Sequence, residues 1–351
     1  MQMNKPSSAA RSNANSNDSA GENMPFGPIS VMDVAIQGYR QTIQLRSYKC
    51  APVESLPLLP EQPNSAKPGR RKQAIAVDHT LVPIVLYFHG GMFIDGGLDD
   101  GDAAARAIAR QTPAWVISVG YSLAPEFPFP TALEDGYLAL QWAVANAKAQ
   151  HADPRRIGVA GHDAGGNLAT CLSAVVRDRD DSQGNEFGGG GGKADAKRGG
   201  TRGGELHISA QALLAPLLDP SMTRMVDPDS VAFQCTAGVD ARAGAERVIR
   251  ACAQCYRAYL PQHAMRMHPY AAPLESRRLA GLPPALIASA QNDLLHLEAE
   301  KYAAALISAG VPTQVTRHAN ASHQALACHP QALKDVALFF RQRLSNADLR
   351  H

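Results

Sequence analysis

Short apolar runs alternate with longer segments of helical period along most of the chain, beginning near Leu81. Each run holds several Val, Ile, Leu or Phe residues, and the segment after it repeats its apolar positions every three or four residues. This alternation is typical of a parallel sheet covered by helices. The predicted strands are Ile84–Phe88, Trp115–Val119, Ile157–Ala160, Ile208–Leu214, Ala285–Ala290 and Thr313–Arg317. The predicted helices are Asp102–Arg110, Leu133–Lys148, Asn167–Val176, Glu298–Ala309 and Gln331–Leu344.

Two segments have compositions that do not favour a packed core. Residues 1–30 consist mostly of Ser, Asn, Ala, Gly and Pro, and residues 178–205 contain a dense run of Gly. Such segments bury too little apolar surface to offset the entropy of ordering them, so we expect both to be disordered. The rest of the 351 residues is enough for one large core, and residues 31–351 are therefore predicted to form one α/β domain. Within it, Val34–Tyr48 predicts antiparallel edge strands.

The alternation is also interrupted at about residues 218–272. This segment lies between two predicted strands and mixes helical stretches with Met, Tyr and His. Open α/β sheets place their ligand sites at the C-terminal ends of the strands, and an excursion there is suited to cover such a site. We predict that this segment is a small helical lid.

The charge pattern excludes nucleic acid as the main partner. The chain has 34 Lys and Arg residues against 32 Asp and Glu residues, a net charge of +2, and the positive residues are scattered. The apolar runs are far shorter than the roughly 20 residues that span a bilayer, so we expect no membrane span. The first residues lack the apolar core of a secretion signal, which favours a cytoplasmic protein. The sequence leaves open whether the protein forms a homodimer.

No cofactor or metal is predicted. The Gly-rich run lacks the helix start that gives a phosphate-binding loop its oriented amides. Cys252 and Cys255 have redox-motif spacing, but they lie in a predicted helical segment, and no second pair completes a zinc site. Structural packing is their expected role.

The strongest chemical signal lies around Asp163. Gly161-His162-Asp163-Ala164-Gly165-Gly166 follows a predicted strand and opens a predicted helix. This is the pattern of a nucleophile elbow, in which small residues two before and two after the centre allow a sharp turn. Asp tolerates the positive φ that the centre requires better than most residues do. The alternative interpretation is a Gly-rich helix start with an acidic first turn.

Three further elements follow predicted strands in the order that this fold uses. His89-Gly90-Gly91-Met92 comes directly after the first strand of the main sheet, where esterases place backbone amides for an oxyanion. Asp293 and His323 follow the last two strands, at the C-terminal edge of the sheet. The order of nucleophile, acid and histidine along the chain favours an α/β-hydrolase over the alternative interpretation.

These motifs resemble those of the hormone-sensitive-lipase-like branch of the α/β-hydrolases, the bacterial type IV esterases. Tyr121-Ser122-Leu123-Ala124-Pro125-Glu126 and His268-Pro269-Tyr270 are similar to family segments, and the resemblance runs from about Leu81 to Leu344. It implies an α/β-hydrolase fold with a small-molecule substrate, Asp293 as the acid and His323 as the base. It also implies Gly91, Met92 and Ala164 as oxyanion amide donors, with His89 and Gly90 supporting their loop.

The family's nucleophilic serine is replaced by Asp163. An aspartate at this place, after a histidine, resembles the epoxide hydrolases and haloalkane dehalogenases. An ionised carboxylate attacks saturated carbon without a base, and His323 would then activate water to hydrolyse the resulting ester. Such enzymes also need a donor for the leaving group, and the lid offers Tyr256, Tyr259 and Tyr270, for which packing is the favoured interpretation.

Two functions therefore stay open. The first is an esterase- or lipase-like hydrolase acting on a small ester-type substrate with an atypical Asp163-His323-Asp293 triad. The second is an inactive relative that binds or senses a small apolar ligand, because an anion at position 163 would form a stable ion pair with His323. Retention of both Asp293 and His323 favours the enzyme.

Overall fold

The computed structural model describes residues 27–50, 81–184, 206–221 and 241–345. An eight-stranded sheet with the order β1-β2-β4-β3-β5-β6-β7-β8 passes through these ranges. Its strands are β1 (Ile29–Gln37), β2 (Thr42–Cys50), β3 (Val82–Phe88), β4 (Trp115–Gly120), β5 (Ala152–His162), β6 (Ala210–Leu214), β7 (Ala285–Asn292) and β8 (Thr313–Ser322). The α-helices of the described residues are α1 (Leu98–Gln111), α2 (Thr131–Asn146), α3 (Ala164–Gly184), α4 (Ala241–Tyr259), α5 (His296–Ser308) and α6 (Pro330–Arg343).

The sheet is mostly parallel. Strands β3 to β8 pair in parallel with their neighbours, while β1 and β2 form an antiparallel hairpin that joins the edge of β4. The predicted parallel sheet flanked by helices is therefore confirmed, and so are the antiparallel edge strands expected around Val34–Tyr48.

A separate apolar core covers each face of the sheet. In β3, Leu86 and Phe88 belong to one core and Val85 and Tyr87 to the other, because successive side chains of a strand point to opposite faces. Helices α1 and α6 complete the second core, and α2, α3 and α5 complete the first. Burial on both faces explains why β3 is almost continuously apolar. The C-terminal ends of the parallel strands are thereby held at one fixed edge.

Two predicted boundaries are wrong where the structure describes them. Strand β1 begins at Ile29, inside the segment 1–30 that we expected to be disordered, because its residues pair with β2. Helix α3 continues to Gly184, so residues 178–184 of the predicted insertion 178–205 are helical. Asp178 is held there by Arg278 at 3.1 Å and by the Tyr270 hydroxyl at 2.7 Å, contacts that composition cannot reveal. The predictions for residues 1–26 and 185–205 lie outside the described residues.

The described part of the predicted lid, residues 218–272, packs directly on the loop after β3. Helix α4 places Tyr259 in a stack on Phe93, with ring centroids 3.9 Å apart. Tyr256 lies beside the same ring, at 6.1 Å. A short 3-10 helix, His263–Met267, follows α4, and residues 222–240 of the predicted lid lie outside the described residues. Helix α4 thus covers the loop that carries the predicted amide donors.

Candidate active site

Asp163 is the single residue between the end of β5 and the start of α3. Its φ of +55° lies in the left-handed region, as the predicted elbow requires. The turn is possible because Gly165 has no side chain: a Cβ there would lie closer to the carbonyl oxygen of Phe88 than real Cβ contacts do. A Cβ at Gly161 would collide in the same way with the backbone of Gly165. The sequence therefore folds into a tight turn that presents the Asp163 side chain at the edge of the sheet.

The Asp163 carboxylate lies against the loop that follows β3. Its Oδ2 atom accepts hydrogen bonds from the backbone amides of Gly91, at 3.0 Å, and Met92, at 2.7 Å. Among the described residues, Ala164 donates no hydrogen bond to this carboxylate, and Oδ1 has no hydrogen-bond partner. Asp163 is only 2% exposed, so its carboxylate is held by protein groups rather than by bulk water.

A strained backbone turns these amides inward. Gly91, Met92 and Phe93 have φ angles of +117°, +53° and +66°, so three successive residues lie in the left-handed region. The buried His89 ring stacks on Tyr121, with centroids 4.2 Å apart, and anchors the start of the loop. Gly90 permits the close approach of this loop to β5, because a Cβ there would lie 2.7 Å from Nδ1 of His162. Met92 retains the amide, but without the conformational freedom of a glycine.

His323 and Asp293 lie beside Asp163, as the chain order predicts. Nδ1 of His323 is 2.9 Å from Oδ2 of Asp293, and Nε2 is 3.5 Å from Oδ1 of Asp163. The imidazole therefore lies between two carboxylates. Asp293 is fixed in turn, because its Oδ1 accepts the Leu295 amide at 2.9 Å.

The two carboxylates and the histidine shift each other's protonation. Burial alone would lower the pKa of His323, but the charge of Asp293, the hydrogen bond to it and the nearby charge of Asp163 outweigh burial and raise the pKa to about 10. Burial alone would raise the pKa of Asp163, but the nearby positive charge of His323 holds it well below its usual range. At neutral pH the group is an imidazolium paired with an ionised Asp163.

His162 holds the segment that carries His323. Its Nε2 donates to the backbone carbonyl of His323 at 2.9 Å. Burial, and then the positive charge of His323, lower the pKa of His162, so it stays neutral. A neutral ring can supply this hydrogen bond without adding a second positive charge to the site.

Two supporting residues were missed by the sequence analysis. Asn167 donates its side-chain amide to the carbonyl of Leu217 at 2.8 Å, and Leu217 donates its own amide to the carbonyl of Asp163 at 3.1 Å. Glu298 accepts the amides of Leu218 and Asp219 at 2.9 and 3.1 Å. Together they fix the loop after β6 against the elbow. An acidic residue in the first turn of a helix is so common that Glu298 carries no distinguishing signal in the sequence.

Among the described residues, none of the three lid tyrosines forms a hydrogen bond with the Asp163 carboxylate. Tyr256 and Tyr259 are buried in the core, and their hydroxyls have no hydrogen-bond partner in the part of the chain that the structure describes. The Tyr270 hydroxyl donates to Asp178 instead. Packing, the favoured interpretation of these residues, fits this arrangement.

A polar cleft of about 720 Å³ adjoins the loop after β3. Its lining includes His89, Gly96 and Tyr121 but none of Asp163, Asp293 and His323.

Among the described residues, no cluster of three or more His, Cys, Asp or Glu side chains is arranged to hold a metal. Within the same residues, no helix is long and apolar enough to cross a membrane.

Comparison with known proteins identifies the family to which this chain belongs. The family model described as alpha/beta hydrolase fold matches residues 85–327. The match covers more than half of the sequence, and the chain therefore belongs to the alpha/beta-hydrolase family.

Similar proteins are esterases. Carboxylesterase NlhH of Mycobacterium tuberculosis is 34% identical over 242 residues, which are 69% of this chain and 66% of that protein. Esterase LipI of the same organism is 34% identical over 242 residues, which are 68% of this chain and 64% of that protein. The chain spans slightly less than two thirds of the length of these curated relatives. Among solved structures, the metagenomic carboxylesterase EstE1 has a TM-score of 0.67 and 28% identity, covering 91% of each chain.

Proposed function

We propose that this protein is a hydrolase of small ester-type substrates and related carbon electrophiles, with Asp163 as the covalent nucleophile. The observation that carries the proposal is that the two oxygens of one carboxylate have different surroundings. Oδ2 accepts hydrogen bonds from two amides, while Oδ1 has no hydrogen bond from any described residue and faces His323. An ionised carboxylate needs no base to attack. The similarity to carboxylesterases supports the hydrolase class and a small ester-type substrate.

The position of Oδ2 favours attack on a saturated carbon over acyl transfer. In a serine esterase the amides receive the oxygen of the substrate carbonyl, whereas here they already hold the Asp163 carboxylate. If Oδ1 attacks the carbon of an epoxide, a halide or the alkyl side of an ester, the carboxyl group of Asp163 becomes the new ester. When water adds to that ester, the negative charge develops on Oδ2. The Gly91 and Met92 amides then stabilise it without any rearrangement.

The proton transfers balance with His323 alone. For an epoxide, Oδ1 bonds to the ring carbon, the carbon–oxygen bond breaks, and the departing oxygen takes the proton from Nε2 of the imidazolium. Loss of the Asp163 charge on esterification lowers the pKa of His323, so the neutral ring can accept a proton from the attacking water. On collapse of the tetrahedral species, the expelled oxygen takes the remaining water proton from the regenerated Asp163 carboxyl group, so the diol leaves with Asp163 ionised and His323 protonated. No tyrosine donor is needed for this cycle.

A single turnover in heavy-oxygen water tests the covalent step. The protein, in excess over an alkyl halide, an epoxide or a methyl ester, is digested, and the mass of the peptide containing Asp163 is measured. We expect one heavy oxygen in Asp163 after turnover. Turnover without label in that peptide would exclude Asp163 as the nucleophile.

A variant pair sharpens the test. His323→Gln removes the base for the second step, and an alkyl halide needs no proton for its leaving group. The intact mass of His323→Gln should therefore rise by one alkyl group and remain raised. Asp163→Ala, the matched control, should gain no mass under the same conditions.

A second candidate function is binding of a small apolar ligand without turnover. The observation that favours it is the closed ion pair, in which the pKa of His323 is raised to about 10 and Asp163 is almost inaccessible. A histidine that keeps its proton at neutral pH cannot serve as a base. Absence of label, of adduct and of turnover with all three substrates would favour this candidate over the hydrolase.

A further inference from the structure

A second polar cavity lies at the N-terminal ends of the parallel strands, opposite to the ends that carry Asp163. Its volume is about 320 Å³, and it forms where β5 and β6 begin and α6 ends. Its polar lining consists of Arg155, Arg156, His207, Ser209, Arg343 and Ser345. The proposed chemistry occupies the C-terminal ends of the parallel strands, so this cavity is a separate site.

One carboxylate faces two of the three guanidinium groups. Asp153 accepts from Nε and Nη2 of Arg155 at 3.0 and 3.1 Å, and from Nε of Arg156 at 3.3 Å. Arg156 is buried, and its other nitrogens donate to the backbone carbonyls of Leu344 and Leu81. Arg155 is largely exposed and keeps Nη1 for another acceptor. The described lining contains no acidic side chain, so positive charge is in excess.

Arg343 supplies the excess charge. Within the described residues it makes no ion pair, and its Nε atom is buried without a hydrogen-bond partner. A buried donor left unpaired is unfavourable, and more so when the group is charged. The Nε atom of Arg343 therefore lacks an acceptor among the described residues, and the side chain lines the same cavity as Arg155.

We propose that this cavity binds a phosphate-type oxyanion, either inorganic phosphate or the phosphate group of a small monoester. Guanidinium groups match the geometry of phosphate oxygens and bind them through paired, charge-assisted hydrogen bonds. Arg343 and Nη1 of Arg155 supply these donors, and the exposed His207 lies at the rim. The anion neutralises the charge of Arg343, which forms no ion pair with any described residue.

Calorimetric titration of the full chain with inorganic phosphate tests the proposal, with sodium chloride at matched ionic strength as the blank. We expect saturable binding at one site. Arg343→Gln should weaken it about ten-fold or more, because it removes a charge-assisted contact. Arg341→Gln is the matched control, since Arg341 is an exposed arginine on the same helix that does not line the cavity, and it should change the affinity less than about two-fold.

A second titration with glycerol phosphate distinguishes the two sources of the anion. Tighter binding of the monoester assigns the cavity to an organic phosphate, and equal or weaker binding assigns it to the free ion. If Arg343→Gln does not fold, Arg155→Gln replaces it, because that side chain is 70% exposed and its loss should weaken binding without unfolding the protein. Absence of saturable binding by both ligands, or equal affinity in the wild type and the folded cavity variant, would overturn the proposal.

Discussion

The backbone amide of Met92 lies 2.7 Å from Oδ2 of Asp163, so the side chain of the elbow residue occupies the place where a serine esterase binds its substrate oxygen. Gly91 adds a second amide at 3.0 Å. The position of this single carboxylate determines both the chemistry that the site favours and the variants that can change it.

Asp163→Ser should create or greatly raise hydrolysis of p-nitrophenyl esters. The substitution vacates the two amides and places a hydroxyl beside His323. Removal of one of the two carboxylates also lowers the pKa of His323 toward its usual range, where the ring acts as a base. We expect a rate at least about 100-fold above that of Asp163→Ala, the matched control, measured by release of p-nitrophenolate. A folded but inert serine variant would mean that Met92 or the lid has also disabled the site.

The protonation of His323 can be read directly by NMR. Its pKa of about 10 reflects two carboxylates, so Asp163→Asn should lower the midpoint of the imidazole titration by about one unit or more. Asp335→Asn is the matched control, because Asp335 lies 3.5 Å from a different histidine, His318, as Asp163 does from His323. This control should leave the His323 titration unchanged. An equal midpoint in the wild type and Asp163→Asn would contradict the ion pair.

The buried carboxyl of Glu298 should make the protein less stable as the pH rises. Burial raises its pKa to about 8, against the opposing hydrogen bond from the Leu218 amide. The folded chain therefore keeps a proton that the unfolded chain releases above about pH 4.5. The free energy of unfolding should fall by up to roughly 1.4 kcal/mol per pH unit between about pH 4.5 and 8 from this group. The raised pKa of His323 adds a loss of the same sign from about pH 6.5 to 10.

Glu298→Gln separates the two contributions in denaturant unfolding measured at pH 5 and pH 8. Gln retains an oxygen for the Leu218 and Asp219 amides but carries no charge, so the variant should lose less stability over this interval than the wild type does. Glu300→Gln removes a partly exposed carboxylate from the same helix and should change stability by less than about 1 kcal/mol at both pH values. Parallel curves for wild type and Glu298→Gln would contradict the raised pKa.

The closeness of the elbow to β3 predicts a large effect of one methyl group. Gly165→Ala should destabilise the protein by several kcal/mol, because the added Cβ meets the backbone carbonyls of Phe88 and His89, which cannot move aside. Gly97→Ala is the control, since a Cβ at Gly97 has open space and its φ is extended. It should change the melting temperature very little. Similar melting temperatures for the two variants would refute the close packing.

The strands of the sheet were predictable because their residues face two apolar cores. Ile84–Phe88 and Trp115–Val119 lie within β3 and β4, since burial on both faces demands a continuous apolar run. The start of β5 was not predictable, because the strand begins at Ala152 with several polar residues before Ile157. Arg156 is held in this part of the strand by Asp153 and by the backbone carbonyl of Leu344, which is distant in sequence.

The sequence predicts which residues form the proposed site, but it predicts their electrostatic relationship only in part. Chain order and small residues at fixed offsets predict Asp163, Asp293 and His323 as site residues, and the fold brings both carboxylates within hydrogen-bonding or ion-pair distance of His323. The lack of a hydrogen bond from Ala164, and the role of Glu298 behind the elbow, depend on distances between separate loops. Local patterns do not contain such distances.

Occupation of the two amides by Asp163 also affects how this protein can be detected. Fluorophosphonate probes label serine hydrolases by phosphonylating the elbow hydroxyl and placing an oxygen on these amides, and this chain offers neither the hydroxyl nor the vacant amides at that position. Surveys of esterases that rely on such labelling would therefore overlook it. If Asp163 is the nucleophile that we propose, alkylating substrates, which react with a carboxylate, are the probes suited to this site.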